Sequence, residues 1–127
     1  MSTSSYKTDA LEAKKKLEQV SPTMCLAKWN QTSLHLPTGL TNSCYHPPLH
    51  EIDADAVKLN PAALHNTAEK LNQRQQMLQG EQPEGCSYCW NMEKTGEMSD
   101  RHYRSGEPWA MQDFEDIRKN PIDEHWT

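Results

Sequence analysis

The chain has 127 residues, of which 35% are hydrophobic and only one is phenylalanine, enough for one small domain with a thin core. Its net charge of −5 and scattered basic residues give no basic stripe of the kind that neutralises phosphates, so nucleic acid is not an expected partner. No run approaches a membrane span, and "MSTSSYKTDA" lacks the apolar stretch of a secretory leader, so a cytoplasmic protein without a membrane partner is expected.

In chain order, "DALEAKKKLEQV" (Asp9 to Val20) reads as a surface helix capped by Asp9. Its apolar residues Leu11, Leu17 and Val20 form no second face, so loose packing is expected, with Lys14 to Lys16 on a solvated side. "SPT" ends the helix. "LAKWNQTSLHL" and "LTNSCYH" then flank Pro37-Thr38-Gly39, the pattern of a β-hairpin whose turn uses Gly39 at positive φ. Leu34 and Leu36 share one face and His35 the other. The hairpin brings Cys25 toward Cys44, although its first arm is the longer and must bend or begin as a loop.

"HPPLHEIDADAV" leads through a loop into a short helical turn. "NPAALHNTAEKLNQRQQMLQG" reads as a helix opened by Pro61 and closed by Gly80, with Leu64, Leu71, Met77 and Leu78 as its core stripe. "EQPEG" breaks the chain before "CSYCWNMEK". A polar stretch, "SDRHYRSGEPWA", precedes a final short helix, "MQDFEDIRKN".

The four cysteines carry the chemistry. They are Cys25, Cys44, Cys86 and Cys89, the last two forming a Cys-x-x-Cys pair that grips a metal or cluster from one turn. A thin core needs a metal, a crosslink or a partner, and disulfides are rare in the cytoplasm. Spacing leaves three readings open: a closed four-thiolate zinc site, an iron–sulfur cluster, or unlinked thiols. The "PEG" before Cys86 frees backbone N–H groups to point at the sulfurs. No βαβ context supports a thioredoxin-like pair, and no feature selects a histidine for a cysteine nucleophile. His46 and His35 are competing ligands or ordinary surface histidines.

The order Cys25, Gly39, "LTNS", Cys44, then Cys86 and Cys89 resembles the twitch domain, a shortened relative of the SPASM auxiliary-cluster domain of radical S-adenosylmethionine (SAM) enzymes. "CLAKW", "SCYHP", "NPAALHN", "RQQMLQGEQPEGCSYCWN" and "SDRHYRS" are similar to twitch-containing radical SAM proteins of bacteriophages and bacteria. The likeness covers residues 22–118. It implies an α+β fold in which a small β-hairpin and several short helices surround the site. It also implies that Cys25, Cys44, Cys86 and Cys89 ligate one [4Fe–4S] cluster.

The same resemblance divides the chain into an N-terminal helix and lead-in (1–21), the cluster domain (22–118) and a linker toward an absent barrel (119–127). The chain has no Cys-x3-Cys-x2-Cys motif, so it is not expected to cleave S-adenosylmethionine alone. The implied role is electron transfer or structural support beside a radical SAM catalytic domain or chain. Trp29, Tyr88 and Trp90 are candidates to bury the cluster. Lys28, Arg101 and Arg104 are either solvated surface or contacts to a peptide or other substrate. The alternative is a zinc-stabilised interaction module, and a third reading is a metal-free adaptor completed by a partner.

Overall fold

The structure, a computed structural model, describes residues 3–44 and 46–122, with side chains from residue 8 onward. It is an α+β fold in which short helices surround a small antiparallel sheet. No helix among the described residues is long and apolar enough to cross a membrane.

Helix α1 (Thr3–Val20) begins before Asp9, which therefore lies inside the helix rather than capping it. Its buried face is Ala10, Ala13 and Leu17, spaced three and four residues apart, while Leu11 is exposed at 49%. Small side chains let α1 lie close against α6 (Asp100–Ser105), so the helix is not loosely packed. At the end of α6, a Cβ on Gly106 would come within 3.0 Å of the Asp9 carbonyl oxygen, so this approach needs glycine. Lys14, Lys15 and Lys16 are exposed, as expected.

The segment after α1 is helical where an extended arm was expected. Helix α2 (Ala27–Asn30) follows Cys25 and buries Ala27, Lys28 and Trp29. Strands β1 (Ser33–His35) and β2 (Leu40–Asn42) form the hairpin, pairing Ser33 with Asn42 and His35 with Leu40. Gly39 turns the chain at φ +70°. A third strand, β3 (His50–Glu51), pairs with β2, giving the order β1-β2-β3. Leu34, His35 and Leu36 are all exposed, so the alternation expected in the first arm buries nothing.

The long helix expected over residues 60–80 is divided. Helix α3 (Ala54–Leu59) is followed by a 3-10 turn (Pro61–Leu64) that starts at Pro61. Helix α4 (Ala68–Leu78) then begins at Thr67, whose hydroxyl accepts from the Lys70 N–H, and Gly80 closes it at φ +80°. The buried face of α4 is Lys70, Gln73, Arg74 and Met77, and Leu71 is exposed. These polar side chains fasten the helix to the sheet and to α2. Lys70 donates to Thr32 Oγ1, Thr41 Oγ1 and the His65 carbonyl, and Arg74 donates to the Lys28 carbonyl.

A second 3-10 turn (Glu84–Cys86) runs into α5 (Ser87–Lys94). The polar stretch after Gly96 holds α6, opened by a capping box between Ser99 and His102, and α7 (Pro108–Met111). The expected final helix is thus split, and only α8 (Phe114–Lys119) follows α7. Of the linker expected over 119–127, residues 123–127 lie outside the described residues.

Leu17, Met24, Leu26, Trp29, Met77, Trp90, Phe114 and Ile117 form the apolar core, and it is continuous with Cys25, Cys86 and Cys89. Trp29 and Trp90 each satisfy the indole N–H, to the Pro121 and Pro83 carbonyls at 2.7 and 2.8 Å.

Candidate functional site

Three separate segments deliver the cysteines. Cys25 sits in the bend between α1 and α2, Cys44 just beyond β2, and Cys86 and Cys89 at the entry and in the first turn of α5. All four line a single cavity, together with Lys28, Ser43, His46, Met77, Trp90, Asp100, Arg101 and Arg104. Cys25, Cys86 and Cys89 are buried, Cys44 is half-buried, and all four are free thiols. The three-residue step from Cys86 to Cys89 places both on one helical face. Among the described residues, no three His, Cys, Asp or Glu side chains gather closely enough to hold one metal ion.

The sulfurs meet hydrogen-bond donors. The His46 N–H lies beside Cys44 and the Arg101 N–H beside Cys89, and the Ser99 hydroxyl, which donates to Glu93 Oε2 at 2.6 Å, is also near Cys89. The Lys28 side chain shares the cavity wall with Cys86 and favours its thiolate. These donors come from the loop after β2 and from α2 and α6, rather than from the "PEG" before Cys86.

Burial pushes the Cys44 thiol up to about 11 and the Cys89 thiol up to about 12, and it raises Cys86 too. The neighbouring sulfurs add to the rise, and the donors oppose it. Cys44, Cys86 and Cys89 therefore stay protonated at neutral pH. A bound metal reverses this, because the thiolate is the liganding form.

Several polar residues read from sequence as solvent-facing belong to the cavity wall. Lys28 is 2% exposed and Arg101 is 4% exposed. Arg101 is clamped by Glu93 and the Met24 carbonyl, and it covers the face of Trp90. Arg104 is half-buried beside Glu107. Ser43 is buried, and its hydroxyl has no hydrogen-bond partner among the described residues. Sequence reasoning missed Ser43, Ser99 and the burial of Lys28. The one local signal for Lys28 is its setting in "CLAKW", between residues that are themselves core.

Of the two candidate histidines, His46 lines the cavity and His35 is exposed on the hairpin. The His46 Nε2 lies 2.6 Å from Asp100 Oδ2, and its ring stacks on Tyr88 with centroids 3.9 Å apart. Tyr88 is thus 47% exposed, over His46 rather than buried at the sulfurs, while Trp90 lines the cavity and Trp29 lies in the core. Compared with known proteins, the chain matches no family model, no curated protein and no solved structure.

Proposed function

We propose that this chain is an iron–sulfur cluster-binding domain, with Cys25, Cys44, Cys86 and Cys89 as the ligands of one [4Fe–4S] cluster. The observation that carries the reading is the convergence of all four thiols, from three segments, on one cavity. Four cysteines lining one cavity match the number of thiolates that such a cluster takes.

The cavity wall also fits such a group. Ser43 offers a buried hydroxyl without a partner, and backbone N–H groups already face Cys44 and Cys89. Donors of this kind stabilise the negative charge on thiolate and sulfide. Met77 and Trp90 supply the apolar part of the wall and limit water.

Bound there, a [4Fe–4S] cluster supplies one-electron transfer and a crosslink between three segments of a thin core. Four cysteine ligands leave no iron open to a substrate, so the role is relay or support rather than catalysis. The resemblance in sequence extends the proposal to a partner, a radical SAM catalytic domain or chain that binds S-adenosylmethionine. Arg104, half-exposed on the cavity wall, is our candidate to meet that partner or a peptide substrate.

Anaerobic purification tests the reading by spectrum. A cluster gives brown protein with a broad band near about 400 nm that bleaches on reduction, whereas the zinc alternative is colourless. Colourless protein after anaerobic reconstitution with iron and sulfide contradicts the proposal.

A further inference from the structure

Among the described residues, Lys28 is a buried ammonium without an acidic partner. It lies on α2 at 2% exposure, and its Nζ donates to Gln73 Oε1 at 2.7 Å. Among the described residues no carboxylate lies within ion-pair distance of it. Its buried neighbour on α4, Lys70, also donates to neutral oxygens only. The other cations on the cavity wall, Arg101 and Arg104, differ, since Glu93 and Glu107 lie beside them. A buried charge without a counter-charge is costly, and a protein keeps one where something supplies the opposite sign. The group within reach is Cys86, which lines the same cavity as Lys28 and whose thiolate form the ammonium favours.

We propose that Lys28 is a potential-setting residue of this site, its ammonium serving as counter-charge to the Cys86 thiolate when a cluster is bound. This rests on the cluster reading above. Adding one electron to an oxidised [4Fe–4S] cluster with four thiolate ligands raises its net negative charge by one. A fixed positive charge beside one ligand stabilises the reduced form more than the oxidised form, and so raises the reduction potential. Gln73 is the neutral strut that holds the ammonium in place without cancelling its charge.

The test is an anaerobic redox titration of reconstituted protein with dithionite as the one-electron donor, read by the visible spectrum. Iron and sulfide are measured on each sample. Lys28→Met removes the charge. Gln73→Glu keeps the strut's size and acceptor but neutralises the ammonium, so it serves where the first variant does not fold. At the potential where the native protein is half reduced, both variants should show at least a tenfold higher ratio of oxidised to reduced cluster, a downward shift of about 59 mV or more for one electron. Lys28→Arg should stay near the native value.

Variants that load fully and keep the native potential overturn the role of Lys28 alone. Native protein that takes up no iron or sulfide overturns the cluster reading, and this role with it.

Discussion

The Arg101 guanidinium grips the Glu93 carboxylate in a fork, with Nε 3.0 Å from Oε2 and Nη2 2.8 Å from Oε1. Its remaining nitrogen donates to the Met24 carbonyl at 2.7 Å, and the cation sits 5.6 Å above the Trp90 ring. One side chain thereby ties α6 to α5 and to the residue before Cys25. Arg101→Ala leaves the half-buried Glu93 carboxylate with the Ser99 hydroxyl but no counter-charge, and takes the donor from the buried Met24 carbonyl. The expected loss is about 3 kcal/mol of stability, read from the urea midpoint. Arg101→Lys should recover only part of it, because an ammonium cannot make the fork. A loss within about 0.5 kcal/mol for the alanine variant would show that the clamp is solvated in solution.

The interface between α1 and α6 depends on small side chains. Ala13 is fully buried, and Leu11 on the same helix is exposed. Ala13→Leu should destabilise the protein by about 2 kcal/mol through overpacking, whereas Leu11→Ala should change it by less than about 0.5 kcal/mol. Thermal denaturation of the two variants separates this packing from the one the sequence suggests, in which Leu11 faces the core.

His102 makes stability depend on acid. Burial, with the Arg101 charge beside it, pulls the imidazole from 6.5 down to about 4. The neutral ring accepts from the Ser99 N–H at Nδ1, 3.1 Å away, so a proton added there would face a donor rather than an acceptor. On acidification the unfolded chain takes up the proton first. Stability should therefore fall as pH drops from about 6.5 to about 4, and burial of His50 and His65 acts in the same direction. His102→Gln keeps a hydrogen-bonding side chain at the capping-box position without titrating. Its denaturation midpoint should change less across that window than the native protein's. An equal change in both would remove His102 from the account.

The hairpin turn was readable because Pro37-Thr38-Gly39 is local chemistry, and so was the Gly80 stop. Helix α4 shows what local pattern cannot carry. Its inward residues Lys70, Gln73 and Arg74 are polar, so periodicity of apolar residues selects the wrong stripe and includes exposed Leu71. They are buried only because Thr32, Thr41 and the carbonyls of Lys28 and Trp29 come from distant segments to meet them. The same reason hid Lys28 and Arg101, whose partners lie 45 and 8 residues away. The cysteines were legible as a set of residue types. Their shared cavity is a property of the tertiary fold, since Cys44 and Cys86 are separated by β3, α3 and α4.

Metal content tests the central claim most directly. Iron, acid-labile sulfide and zinc should be measured on anaerobically purified protein, beside a Cys86→Ala/Cys89→Ala double variant. The account predicts about four irons and four sulfides per chain, lost in the variant. About one zinc with no iron, or no metal in either protein, would contradict it.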